Sequence, residues 1–194
     1  ERPAIEYSQR MPRPDIVDRN GVVLATDLSV FSLYADPRKI LDVDEAVEQL
    51  TATVPGFDAK SLRQKLVQPN RAFVWLKREI TPKQQQNIHK LGIPGIGFLR
   101  ENKRVYPTGA SVAHLIGLVN IDNQGIAGME KWLDNNGLAD LHRAGFATDR
   151  LQKPVELSID LRVEHALRDE LMKAKEKYKA KAASGLVSNV RTGE

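Results

Sequence analysis

The chain has 194 residues, 41% of them hydrophobic and 28% charged, the composition of a globular protein able to bury a core in one domain or two small ones. It holds no cysteine, which excludes disulfides, thiolate metal sites and cysteine nucleophiles. Twenty-nine basic against 25 acidic residues leave a net charge of +4, too mild an excess to imply nucleic acid by itself, and no apolar run approaches the ~20 residues of a membrane span.

Residues up to about Pro12 lack periodicity and are expected to form an extended lead-in. Asp18-Arg19-Asn20-Gly21 signals a turn, because Asn and Gly accept positive φ cheaply. Val22 to Thr26 and Val30 to Ala35 flank Asp27-Leu28-Ser29 and predict a strand pair, closed by Asp36-Pro37. A helix is expected from Asp44, with Ala46, Val47 and Leu50 on one face, and a second from the N-cap Asp58 through Leu62 and Leu66. Ala72 to Leu76 predicts a buried strand. Thr81-Pro82 predicts a capped helix that stops at Leu91-Gly92, and Ile96 to Arg100 alternates toward another strand.

Ser111 to Val119 and Gly128 to Asn135 read as short helices, and Asn136 to Lys153 as a long connector. Val155 to Ile159 predicts a strand. Leu161 to Lys181 is the clearest helix, with Val163, Leu167, Leu171, Ala174 and Tyr178 on one stripe, and Ala182 to Val190 predicts a closing strand. The class is α+β, with short antiparallel sheets and packed helices. The block from Pro37 to Gly97 interrupts the outer motifs as an inserted head subdomain.

Little here points to a site of catalysis. His89, His114, His142 and His165 show no metal-ligand spacing, no glycine-rich phosphate loop is present, and no cofactor is expected. Glu130 and Asp134 lie four apart on one side of a helix, whereas glycosidase carboxylates flank the sugar. A stand-alone hydrolase would need a cleft joining those two to a histidine. Lys173, Lys175, Lys177, Lys179 and Lys181 are interleaved with Ala174, Glu176, Tyr178 and Ala180, which spreads them around a solvated helix. Nucleic acid is therefore not an expected partner, and a basic nucleic-acid-binding module is kept as the alternative reading.

The informative pattern is three boxes in order. The first is Arg13-Pro14-Asp15-Ile16-Val17-Asp18-Arg19-Asn20-Gly21. The second is Arg104-Val105-Tyr106-Pro107-Thr108-Gly109, with His114 and Gly117 following. The third is Gly125-Ile126-Ala127-Gly128-Met129-Glu130-Lys131, with Asp134 one helical turn on. Pro107 forces Tyr106 toward extended geometry, Gly109 permits a tight turn, and the Arg104 guanidinium so presented suits a carboxylate, for which Glu130 is the natural partner. Arg104 and Glu130 are expected in contact, with Asp18 or Arg19 close by. Pro14 stands where the resembling family usually has glycine.

Together the boxes resemble the non-catalytic pedestal, or dimerisation, module of class B high-molecular-weight penicillin-binding proteins, and are closest to the septal, FtsI-like branch. The resemblance implies an anchor over 1–36 and 98–153 that carries the boxes, a head over 37–97, and the opening of a transpeptidase domain from 154 to 194. It implies a scaffold in peptidoglycan synthesis and cell division, on the periplasmic side of the bacterial inner membrane behind a single N-terminal anchor. The implied partners are a membrane-embedded peptidoglycan glycosyltransferase, small division proteins and the chain's own transpeptidase domain, with an exposed end strand offering an edge for a homodimer. The family's catalytic Ser-x-x-Lys, Ser-x-Asn and Lys-Thr-Gly boxes are absent, and Arg191-Thr192-Gly193 follows the first long helix, a position that fits a turn. The fragment is accordingly expected to be no enzyme.

Overall fold

A computed structural model of the chain describes residues 12–137 and 153–193; the expected lead-in before Pro12 and most of the connector from Asn136 to Lys153 lie outside them. The described residues form five strands and six α-helices, an α+β fold. They divide into two compact units, one of residues 29–103 and one of residues 12–28 with 104–193.

In the first unit, the later residues of β2 (Val23–Ala35) pair antiparallel with β3 (Val74–Ile80), Leu33 opposite Lys77 and Ala35 opposite Val74. Helices α1 (Val43–Thr53), α2 (Ala59–Leu66) and α3 (Pro82–Leu91) bury Leu50, Leu62, Leu66 and Ile88 in one core with Leu33 and Leu76. Each helix starts where a side chain can accept from its free N–H groups. Asp42, rather than Asp44, caps α1, and Asp58 caps α2. Thr81 and Gln84 form a reciprocal capping box on α3, which ends at Gly92 with φ +64°. The strand expected from Ala72 begins at Val74, and β4 (Ile96–Val105) continues past Arg100.

The second unit begins with β1 (Ile16–Val17), which the Asp18–Gly21 turn folds back onto the start of β2, Ile16 opposite Ala25. The expected strand pair around Asp27-Leu28-Ser29 is not formed. β2 runs unbroken through these residues, and the hairpin turn is at Asp18–Gly21 instead. The carboxylate of Asp27 is held by partners distant in the chain, so it has no need of the local turn hydrogen bonds that make Asp a turn former.

β5 (Val155–Glu156) lies on the other side of β1 and runs parallel to it, a departure from the purely antiparallel expectation. Helix α4 (Ala113–Ile116) follows a 3₁₀ turn at Gly109–Ser111 and stops at Gly117, earlier than the expected Val119. Helix α5 (Gly128–Trp132) continues into a π-helical turn at Leu133–Gly137. Ile16, Leu24, Val112, Ile116 and Leu133 form this unit's core.

Helix α6 (Leu161–Lys177) stops before the expected Lys181. Leu167, Leu171 and Ala174 of its stripe are half-buried, but Val163 and Tyr178 are 42% and 72% exposed. Ala182 to Val190 forms no strand. A segment makes a strand only when neighbours pair with its N–H and C=O groups, and none of the five strands pairs with this one, which holds just two β-branched residues, Val187 and Val190.

The first unit's core predicts a direct test. Leu50 is fully buried, so Leu50→Ala is expected to cost about 2–5 kcal/mol in urea unfolding. A loss under about 1 kcal/mol would mean that the α1 face does not carry that core.

Candidate functional site

Two guanidinium groups organise the second unit. Arg13, just before β1, donates from Nε to Glu130 Oε2 at 2.9 Å and from Nη2 to the Glu130 carbonyl at 2.8 Å. Its Nη1 reaches the Asp134 carboxylate and the Asn123 carbonyl, and its backbone N–H donates to Asp27 Oδ2 at 2.9 Å. Arg104, near the end of β4, donates from Nε to Glu130 Oε1 at 2.7 Å, from Nη1 to Asp27 Oδ1 at 3.2 Å and from Nη2 to the Pro14 carbonyl at 2.9 Å. The expected contact between Arg104 and Glu130 is present, and Glu130 bridges both arginines with one oxygen each.

The centre of the junction is buried, and only the Asp134 carboxylate at its edge is partly exposed, at 25%. The side chains of Arg104 and Glu130 are 0% exposed and that of Arg13 is 6%. Desolvating such charges costs several kcal/mol per ion, and only good geometry with additional hydrogen bonds offsets it. Both conditions are met here. Two cations face the three carboxylates of Asp27, Glu130 and Asp134, and neutral donors cover the remaining oxygens: the Asn123 amide and the backbone N–H groups of Arg13 and Gly125. The Tyr106 hydroxyl accepts from the Val119 N–H at 3.1 Å. Burial, with the Glu130 charge beside it, pushes the Tyr106 phenol up to about 12.

Local chain geometry places these groups. Glu130 in α5 and Asp134 in the π-helical turn both reach Arg13, so the turn that widens the helix also aims the second carboxylate. Gly117 and Gly128 let the end of α4 and the start of α5 touch. A Cβ on Gly117 would lie 2.0 Å from the Ala127 carbonyl oxygen, and one on Gly128 would lie 2.6 Å from the Gly117 nitrogen. Both also have positive φ, which side chains disfavour.

The remaining box residues divide into three groups. Pro107 and Gly109 form the tight turn after Tyr106, in which the Gly109 N–H donates to the Tyr106 carbonyl. His114 and Lys131 point to solvent and stand outside the junction. Asp18 is buried but also stands outside the junction, contrary to the expectation that it or Arg19 would sit beside Arg104 and Glu130. Its carboxylate instead accepts from the N–H groups of Asn20, Val22 and Leu161, tying the Asp18–Gly21 turn to the first residue of α6. Arg19 is exposed, and its N–H donates to the Ile159 carbonyl. Asn20 and Gly21 complete that turn, Gly21 with φ +80°.

Asp27, Asn123 and the Pro14 carbonyl are the junction members that sequence reasoning missed. The available signal for Asp27 was a carboxylate set in a β-branched, half-buried run, where charge is costly without a partner. Proline at position 14 has no N–H to give, but its carbonyl is the acceptor the site uses. Chemically the junction is closed. Its strong donors are committed to protein acceptors, and no group of three His, Cys, Asp or Glu among the described residues could hold a metal ion.

Comparison with known proteins places the chain in a family. The profile described as "Penicillin-binding Protein dimerisation domain" matches residues 8–137, a span that holds every member of the junction. The chain is 42% identical over 182 residues to the probable peptidoglycan D,D-transpeptidase FtsI of Caulobacter vibrioides, covering 94% of this chain and 29% of that protein. It is 34% identical over 215 residues to the probable peptidoglycan D,D-transpeptidase PenA of Neisseria meningitidis, covering 98% and 36%. It is 32% identical over 199 residues to the peptidoglycan D,D-transpeptidase FtsI of Escherichia coli K12, covering 92% and 34%. The chain thus spans about a third of the length of these relatives. Among solved structures, a chain from a complex between Penicillin-Binding Protein PBP2 and MreC of Helicobacter pylori aligns with a TM-score of 0.57 at 19% identity, over 84% of this chain and 37% of that one, which speaks for a shared fold.

Asp18 provides a pH test of its tie to α6. Burial pushes its pKa up, but the N–H groups of Val22, Leu161 and Asn20 outweigh burial and hold it below the ordinary carboxylate value. A depressed folded pKa contributes stability that is complete above about pH 3.9 and is lost as pH falls through the folded pKa. Wild type is therefore expected to be more stable than Asp18→Asn at neutral pH, with the gap narrowing in urea unfolding below about pH 4. Parallel pH profiles of the two proteins would contradict this role.

Proposed function

The chain belongs to the penicillin-binding protein dimerisation-domain family, and from that premise we propose that it is the non-catalytic pedestal of a membrane-anchored peptidoglycan D,D-transpeptidase. In this reading the pedestal holds a transpeptidase domain at a set distance and orientation during septal wall synthesis and cell division. Residues 1–36 with 98–153 form the anchor, 37–97 the inserted head, and 154–194 the opening of the transpeptidase domain. The protein works on the periplasmic face of the inner membrane behind an N-terminal anchor. Its partners are a membrane-embedded peptidoglycan glycosyltransferase and small division proteins.

The observation that carries this reading is the closed ionic junction of Arg13, Asp27, Arg104, Glu130 and Asp134. Such a junction binds no substrate and transfers nothing, but it fixes three chain-distant boxes in one geometry. Within the same unit, the first box grips the segment that would lead into the catalytic domain. β1 pairs with β5, and the Asp18 carboxylate holds the Leu161 N–H. Relatives named as transpeptidases, about three times longer than this chain, leave room for a catalytic part elsewhere in the protein. The sequence supplies no Ser-x-x-Lys box, and Arg191-Thr192-Gly193 forms an exposed turn in which the Gly193 N–H donates to the Asn189 carbonyl.

Penicillin acylation tests the division of labour. The 194-residue chain incubated with a fluorescent penicillin is expected to show no labelled band after denaturing electrophoresis, while the longer protein containing it is labelled. A label on the 194-residue chain would overturn the pedestal reading, and so would an unlabelled longer protein.

A further inference from the structure

We propose that Asn20 is a modification site at which loss of the side-chain amide, by deamidation, releases the start of α6 from the turn between β1 and β2. Asn20 and Gly21 are both exposed at that turn. Glycine after asparagine is the least hindered setting for the backbone nitrogen to reach the side-chain carbonyl carbon. In that step the Gly21 nitrogen bonds to the Asn20 Cγ, ammonia leaves, and a cyclic imide forms. Water then opens the ring to aspartate or isoaspartate, so that water is the only co-reactant and the net change is amide to acid.

The neighbours of Asn20 make the change consequential. Its Nδ2 donates to Asp18 Oδ2 at 3.3 Å. Asp18 and Asp160 hold the N-terminus of α6: Asp18 accepts from the Leu161 N–H at 3.1 Å, and Asp160 accepts from the Arg162 N–H at 2.9 Å. The neutral amide is thus a donor to the carboxylate that holds the first N–H of the helix. Arg162 already pairs with Asp160 at 2.7 Å. An aspartate at position 20 would remove that donor and set a second negative charge against the Asp18 carboxylate, where like charges at close range repel.

The folded turn also restrains the reaction. The Gly21 N–H donates to the Asp18 carbonyl at 2.9 Å, which withholds the attacking nitrogen while the turn is closed. Deamidation is accordingly expected to be slower in the folded chain than in a free peptide of the same sequence, and it locks open what transient opening exposes. This inference concerns the turn and helix alone and stands whether or not the pedestal reading holds.

The test uses the whole chain. Wild type and the peptide are held in mildly alkaline buffer, and conversion at Asn20 is followed by peptide-level mass spectrometry. The sequence's other Asn-Gly pair, Asn136-Gly137, serves as a comparator. Amide exchange of Leu161 and Arg162 is then measured in wild type, in Asn20→Asp, and in Asn20→Gln, which keeps the amide. The expected result is detectable conversion at Asn20, slower than in the peptide, and exchange roughly tenfold faster in Asn20→Asp than in Asn20→Gln. Equal exchange in the two variants would overturn the proposal. So would a folded chain that converts at Asn136 and never at Asn20.

Discussion

The second unit depends on one buried carboxylate. Glu130 has no exposed side-chain surface, and two guanidinium groups, from residues 117 and 26 positions away, converge on it. A lone ion in that place would be prohibitively costly, and so would a cation paired with it loosely. The arrangement is tolerable because nearly every lone pair and N–H is spoken for, including carbonyl oxygens of Pro14, Asn123 and Glu130 itself. Apolar side chains would pack there with less desolvation, but they would not dictate which segments meet. Direction is what the ions add, since a guanidinium fork and a carboxylate fit in few ways.

The rest of the unit follows from that choice. Gly117 and Gly128 must be glycine because the backbones that carry the third box to the junction touch. The π-helical turn after α5 keeps Asp134 on the side of Arg13. Tyr106 ties the second box, through the Val119 N–H, to the loop beyond α4. Such a centre fixes the geometry of three chain-distant segments, within a span that the dimerisation-domain profile matches.

Local signals were legible in the sequence, and distant ones only through the boxes. The capping box of Thr81 and Gln84, the stop at Gly92 and the cap at Asp58 are written in adjacent residues, and the helices begin and end there. The Arg104–Glu130 pair could be read because both residues sit in boxes whose charges need partners. Asp27 was misread as a turn residue for the opposite reason: its partners lie 14, 77 and 96 positions away, and nothing adjacent announces them. Asp18 was legible as a turn former but not as the acceptor for a helix 143 positions on. Ala182 to Val190 was expected to close the sheet, and the sequence says nothing of whether a neighbour is present to pair with it.

The central claim is that Arg104 and Glu130 act as a coupled, buried pair rather than as two ions that happen to meet. A double-mutant cycle with Arg104→Met and Glu130→Gln, read by urea unfolding of the whole chain, measures that coupling directly. Each single change is expected to cost about 3–5 kcal/mol, and the double variant clearly less than their sum, leaving a coupling of about 2–3 kcal/mol. Additive costs, with a coupling inside the ~0–1 kcal/mol of exposed ion pairs, would contradict the account.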